Sequence, residues 1–283
     1  MSSTAPIIFI GTQRSGTTWM GTVFDRHPRI AYWPEPRHLW TWGNAYKPDD
    51  VLAAADARPS VTRHIRREVD RFVQRADKDR LAEKTPSNCL RIPFIHAIFP
   101  EAKIILVIRD GRSVLRSTSE IMQGSVPTNR MLQRAFETPF WEWPAYLPRA
   151  ASTIMRKITR RPLAYWGVRP PGWREWVGSE SREVMLAKQW VATIQRASED
   201  AHALPEHARF IFHYEDLMRE PRRVMQDMVD FCELENAEDL VAHVESTADP
   251  ARQAKWRDAL DEQVLDRIRP IMEPTLTQLG YQW

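Results

Sequence analysis

Ile7-Ile8-Phe9-Ile10-Gly11-Thr12-Gln13-Arg14-Ser15-Gly16-Thr17-Thr18 decides how the chain folds. The run Ile7 to Ile10 has no polar alternation, so it reads as a strand buried on both faces, which means a parallel one. It enters a polar turn bearing two glycines, and a helix starts near Thr17. Strand, glycine turn and helix N-terminus together make an anion site: unpaired backbone N–H groups and the helix dipole converge on one place. Gly11 and Gly16 keep the spacing of the phosphate loop G-x-x-x-x-G-K-[ST]. Thr17 stands where that motif has lysine, and Arg14 is the only cation inside the turn. The turn is therefore expected to hold a phosphate without being an ordinary ATP or GTP loop.

A second junction of the same kind follows. Lys103 to Ile108 is another continuous apolar run, ended by Arg109-Asp110 and by Gly111 at the start of a helix. Ligands of open α/β sheets bind beyond the carboxyl ends of strands, so Arg109 and Arg14 are predicted at one edge. Arg109 either forks onto a phosphate or pairs with Asp110 at the surface. Taken together, Gln13–Trp19 and Val107–Val114 with Ser117 resemble the 5′-phosphosulfate loop and the 3′-phosphate segment of sulfotransferases that use 3′-phosphoadenosine 5′-phosphosulfate (PAPS). The resemblance implies an α/β, three-layer fold with a P-loop-like central parallel sheet and helices on both faces. It also implies a cofactor site of Arg14, Ser15, Gly16, Thr17, Thr18, Trp19, Arg109 and Ser117, with 3′,5′-adenosine bisphosphate as product and no metal required.

Between these junctions lies Tyr32-Trp33-Pro34-Glu35-Pro36-Arg37-His38. Glu35, between two prolines, is either a solvated loop residue or a general base for an acceptor hydroxyl. Tyrosylprotein sulfotransferases carry a catalytic glutamate in a similar place, after the first helix and downstream of an Arg-Ser-Gly-Thr-Thr motif. His38 is the alternative base. Glu83-Lys84-Thr85-Pro86 is similar to a Glu-Lys-Thr-Pro segment of heparan-type sulfotransferases. There Lys84 would reach the transferred sulfuryl group, or else be a surface lysine. Near the end, His213-Tyr214-Glu215-Asp216-Leu217 resembles a family segment that places Tyr214 by the cofactor, with Glu215 and Asp216 stabilising the turn. Arg252 and Lys255 fall in what resembles a C-terminal loop over the 3′-phosphate. Ala254 replaces the usual glycine there.

The remaining elements are read from periodicity. Helices are expected at 17–26, 60–76 with Ser60 as N-cap, 89–99, 183–203 and 221–232. Pro270 and Pro274 are expected to break up the last helix. The five arginines of 60–76 (Arg63, Arg66, Arg67, Arg71 and Arg75) read as a solvated face. Residues 123–182 hold five tryptophans and seven prolines and little periodicity. They read as a Trp/Pro-rich helical or irregular insertion, a lid over the acceptor pocket. From Trp143 to Arg174 there are basic residues and no acidic one; this basic stretch, 143–174, suits an anionic acceptor, the cofactor, or peripheral contact with a membrane, or is the solvated rim of a small satellite core.

The whole chain sets outer limits. Its 283 residues fit a single sulfotransferase domain, 1–283, with 43% apolar residues for a core. A net charge of +3 does not suit a dedicated nucleic-acid binder. Cys89 and Cys232 are far apart, which suits buried thiols in a reducing, cytoplasmic compartment better than a disulfide. The eight histidines show no metal-ligand spacing. No leader peptide and no bilayer-spanning run is visible. The expected reaction is transfer of a sulfuryl group from PAPS to a hydroxyl of a small molecule, sugar, lipid or peptide. Two other classes stay open: a P-loop kinase-like phosphotransferase, and a non-catalytic binder of membranes or anionic polymers.

Overall fold

A computed structural model describes residues 4–123, 164–252 and 256–283. Five strands, β1 (Thr4–Ile10), β2 (Ile30–Pro34), β3 (Arg80–Lys84), β4 (Lys103–Ile108) and β5 (Arg209–His213), form one sheet in the order β2-β3-β1-β4-β5. Every neighbouring pair is parallel. Successive side chains of a strand point to opposite faces, and the unalternated runs supply apolar groups to both. Ile7 and Phe9 of β1 join Ile105 and Val107 of β4 in one core. Ile8 and Ile10 join Ile104, Leu106 and Ile108 in the other. The first core is closed by α1 (Thr17–Phe24) and by the helices Pro221–Phe231 and Glu238–Thr247. The second is closed by α2 (Arg37–Thr41), α3 (Pro59–Arg75), α4 (Ile92–Ile98), α5 (Gly111–Gln123) and the helices Arg182–His202 and Glu262–Gln278. The result is three layers, as the sequence predicts.

The strand order places the site. After β1 the chain crosses toward β2; after β4 it goes the other way, to β5. The two departing connections leave a crevice outside the carboxyl ends of β1 and β4, the switch point where open α/β sheets bind ligands. Both candidate arginines, Arg14 and Arg109, follow these two strands.

Several helix boundaries differ from expectation for identifiable reasons. α1 stops at Phe24. α3 starts at Pro59 with Arg58 as N-cap, because proline's fixed φ suits the first helical position; Ser60 is already inside. The stretch expected as helix 89–99 splits into a 3-10 turn, Pro86–Leu90, and the short α4, each opened by its own proline. Glu262–Gln278 is one continuous helix with Pro270 and Pro274 inside it. Their four-residue spacing puts both missing donors on one side. Both prolines are exposed, so water can satisfy the carbonyls left without a backbone partner. Of the 123–182 insertion, residues 124–163 lie outside the described residues, including Trp141, Trp143 and most of the basic stretch 143–174. The returning end, from residue 164, is irregular apart from the short helix Trp173–Trp176.

That returning end is clamped by a buried acid. Asp50 accepts from the backbone N–H of Arg169 at 2.9 Å and from its guanidinium at 2.5 Å. Asp50 also pairs with Arg91 at 3.3 Å, and the Arg91 side chain is 2% exposed. Burial raises the Asp50 pKa, but Arg91 and Arg169 outweigh it and hold the carboxyl below the usual carboxylate range. Removing one member of a buried pair strands the other's charge. Asp50→Ala is therefore expected to cost about 3–5 kcal/mol of unfolding free energy, measured by urea denaturation; a loss below about 1 kcal/mol, the value of an exposed pair, would show that the clamp is not structural. The two cysteines are free and buried, Cys89 in one core and Cys232 in the other.

Candidate active site

The turn after β1 wraps tightly. The Ser15 N–H donates to Thr12 O at 3.1 Å, and Arg14 and Gly16 sit at φ 68° and 94°. Gly16 is required twice. Its φ is left-handed, and a Cβ there would come within 2.6 Å of the Tyr214 ring. Tyr214, at the start of the helix Tyr214–Arg219, thus packs against the loop. The first-turn N–H groups of α1 have no acceptors within the helix. Beside them the Ser15 hydroxyl is buried without a hydrogen-bond partner. Thr17 is buried, Thr18 exposed and Trp19 half-buried against the core under α1.

Two cations close this corner. Arg14 Nε donates to Ser117 Oγ at 2.9 Å, and Arg109 Nη1 donates to Arg14 O at 2.7 Å. The Arg109 guanidinium lies 4.3 Å from the centre of the Tyr214 ring, and its Nε is buried without a partner. Burial, and then the nearby Arg109, pushes the Arg14 guanidinium below its ordinary pKa, while Glu120 pulls it up. Like charges held this close favour an anion between them. Asp110 is not the partner of Arg109: it pairs with Arg112 at 2.8 Å. Glu215 supports the start of α5, accepting from the Asp110 N–H at 3.2 Å and from Tyr281 Oη at 2.6 Å. The structure therefore brings Arg14, Ser15, Gly16, Arg109, Ser117 and Tyr214 together.

The carboxylate candidate stands on the other side of the loop. Glu35 follows β2 directly, with its N–H donating to Lys84 O at 2.9 Å and φ at 54°. Lys84, at the end of β3, reaches Glu35 Oε1 at 2.8 Å with its side chain 4% exposed. Arg37 approaches Oε2 at 3.4 Å. β3 separates β2 from β1, so Glu35 is about 10 Å, two strand spacings, from the loop's strand. Burial lowers the Lys84 pKa against the pull of Glu35. Lys84 is thus a buried ion-pair partner and not a surface lysine. His38 lies edge-on to Trp33, their ring centres 5.9 Å apart, and Trp33 stacks on Phe72 of α3. Lys255 lies outside the described residues, as does the side chain of Arg252. The flanking Trp256 packs its ring 4.1 Å over the Arg112 guanidinium in the first turn of α5.

Three further residues shape the site without having been singled out as candidates. Arg37 has a local signal, a cation two residues after the candidate base. Gln189, from the helix Arg182–His202, meets Gln13 of the loop at 2.5 Å; nothing in its local sequence marks it. Glu83, beside Lys84, is an acid inside a strand buried throughout. It accepts from Thr85 Oγ1 at 2.5 Å and Asn88 Nδ2 at 2.9 Å, and burial pushes its carboxyl up to about 7. A carboxyl raised in the native state contributes its stability fully below its unfolded value and loses it as pH rises through about 7. Glu83→Gln keeps both contacts, the amide oxygen facing Asn88 and the amide nitrogen facing Thr85. Its Tm relative to wild type is expected to improve between pH 5.5 and 8.5; a pH-independent difference would show that Glu83 does not titrate there.

Among the described residues, no group of His, Cys, Asp and Glu could hold a metal ion, and no helix is long and apolar enough to cross a membrane.

Residues 6–157 match the model of the sulfotransferase family, a span that runs into the insertion. The chain is 31% identical over 128 residues to protein-tyrosine sulfotransferase A of Caenorhabditis elegans, covering 40% of this chain and 33% of the relative. It is 29% identical over 125 residues to human protein-tyrosine sulfotransferase 1, again covering 40% and 33%. The chain thus spans a third of the length of these relatives. Among solved structures it resembles the sulfotransferase domain from the curacin biosynthetic pathway (TM-score 0.57, 15% identity, covering 100% of this chain and 99% of that one). It also resembles the sulfotransferase domain of the Synechococcus PCC 7002 olefin synthase (TM-score 0.54, 16% identity, covering 100% and 97%). At such identities the likeness is one of fold.

Proposed function

The chain belongs to the sulfotransferase family, and on that premise we propose that it transfers a sulfuryl group from PAPS to an acceptor hydroxyl. The observation that carries this is the pair Arg14 and Arg109 with Ser117, joined across the carboxyl ends of β1 and β4 around an unpartnered Ser15 hydroxyl. The donor set fits a nucleotide with two separate anionic groups. Ser15, Gly16, Thr17 and Thr18 offer backbone and hydroxyl donors to a 5′-phosphosulfate, while Arg109 and Ser117 offer theirs to a 3′-phosphate. Trp19 and Tyr214 flank the loop, and Arg252 and Lys255 belong to the segment proposed to close over the 3′ side.

Bound PAPS supplies an activated sulfuryl group and a phosphate leaving group. In-line transfer of this kind depends on positioning and charge stabilisation. Glu35 takes the proton of the attacking hydroxyl. Lys84 and Arg37 hold the two carboxylate oxygens, so the base is oriented before the acceptor arrives. Arg14 stabilises negative charge as it grows on the departing 5′-phosphate oxygen. The named relatives are protein-tyrosine sulfotransferases, which supports a hydroxyl acceptor and places a phenol first among those to be screened, ahead of sugars and lipids.

Calorimetric titration with 3′,5′-adenosine bisphosphate against 5′-AMP, with and without Mg²⁺, tests the cofactor class. The bisphosphate is expected to bind at least tenfold tighter than 5′-AMP with or without metal, and Arg109→Ala to remove most of that preference. Equal affinities would refute a 3′-phosphate site. Tight, Mg²⁺-dependent ATP binding would instead favour a kinase.

A further inference from the structure

The segment from residue 164 is tied to the loop through two buried glutamines, and the direction of every hydrogen bond in that tie is forced. Gln189 is fully buried. Its Nε2 lies 2.9 Å from Tyr165 Oη, 2.9 Å from Trp166 O and 2.7 Å from Val168 O. The two carbonyls only accept. Tyr165 Oη donates its own proton to Val168 O at 2.6 Å, so toward Gln189 it accepts too. Gln189 therefore presents its oxygen to the loop, and Gln13 must answer with Nε2, at 2.5 Å. One amide orientation propagates from the segment's backbone into the loop.

Two features show how closely the partners fit. Gly167 has φ 100°, and a Cβ there would come within 2.9 Å of Gln13 Cδ and Nε2. The forced orientation also leaves Gln13 Oε1 buried with no donor. Buried unsatisfied acceptors are uncommon in native proteins, and this one is the consequence of fixing the other end of the same amide. The neighbour of Gln13 is Arg14, which sits in a left-handed conformation that an arginine keeps only when its surroundings over-determine it. Arg109 constrains the Arg14 carbonyl on one side; Gln13 fixes the chain on the other.

We propose that Gln189 is a positioning residue: through Gln13 it sets the backbone of the anion-binding loop at Arg14 and couples that loop to the segment Tyr165–Arg169. The assignment rests on the reading of the loop as a phosphate site. The coupling makes occupancy of the loop and placement of 165–169 mutually reinforcing, since any linkage of this kind is reciprocal.

The test is the affinity of full-length variants for 3′,5′-adenosine bisphosphate, measured by calorimetry beside their thermal stability. Gln189→Leu is expected to weaken binding on the order of tenfold, the cost of leaving one buried amide unpaired. Gln13→Leu is expected to do the same, and the double variant to lose no more than the worse single one, because the effect of each on the loop passes through the same Gln189–Gln13 contact. Gln195→Leu is the control for mere structural loss. Gln195 shares the helix of Gln189; the substitution removes its 2.9 Å contact with Thr275 of the helix Glu262–Gln278 and is expected to lower Tm while leaving affinity unchanged. Should Gln189→Leu fail to fold, Gln13→Leu reports the same contact from the loop side. Unchanged affinity in Gln13→Leu or in a folded Gln189→Leu, with wild type binding tightly, overturns the coupling alone. Absence of binding in wild type overturns the reading of the site and the coupling with it.

Discussion

Glu35→Gln is expected to lower kcat by about 10²–10⁴-fold, the range for loss of a general base, while 3′,5′-adenosine bisphosphate binds with unchanged affinity. The amide keeps the shape of the carboxylate and its place after β2, but it cannot accept a proton at neutral pH. The split between turnover and binding follows from geometry. Glu35 touches Lys84 and Arg37 and stands about two strand spacings from the strand that carries the loop. Lys84, buried and already pushed toward its neutral form, loses its counter-charge in this variant. Its Tm should accordingly be measured alongside activity at each pH. Turnover within about threefold of wild type in a folded Glu35→Gln protein would remove Glu35 from the base role, and His38→Ala would be the next variant to examine.

Arg14→Ala is expected to lower kcat by about 10²–10³-fold, as for removal of one donor aimed at developing charge. Affinity for the bisphosphate should fall by less, because backbone donors of the loop and Arg109 remain. Arg14→Lys keeps the charge but not the fork, and should recover only part of the loss. Arg14 is the loop's own cation, tied to Ser117 rather than to an acid, so no buried counter-ion is stranded when it goes. An unchanged kcat, with the loss confined to bisphosphate affinity, would assign Arg14 to binding alone.

The parts of the site that were legible in the sequence are those written in local grammar. An apolar run, a glycine turn and a helix start mark Arg14 and Ser15; the same pattern around Ile108 and Gly111 marks Arg109. The rule that ligands gather at the carboxyl edge then brings the two arginines together, although 95 residues separate them. The uninterrupted runs at β1 and β4 likewise disclose a sheet covered on both faces. Pairings made only by tertiary packing were not legible. Glu35 and Lys84 were each singled out, but their contact arises because β2 and β3 end side by side. Gln189 meets Gln13 across 176 residues, and Asp50 meets Arg169 across 119, in each case between side chains of ordinary type in ordinary surroundings. The prolines of the last helix misled for a related reason: a rule about broken hydrogen bonds does not say whether water can reach the carbonyls left open.

The placement of the two thiols gives the protein a built-in pair of reporters. Cys89 lies in the core on one side of the sheet and Cys232 in the core on the other, and burial pushes both up to about 12. Neither is a nucleophile while its layer stays closed. Alkylation of each therefore requires its own layer to open, and peptide mapping can follow the two layers separately in an unmodified chain. Simultaneous labelling would describe a molecule that comes apart as one unit; labelling of one cysteine first would identify the layer that loosens while the sheet and its other face still hold.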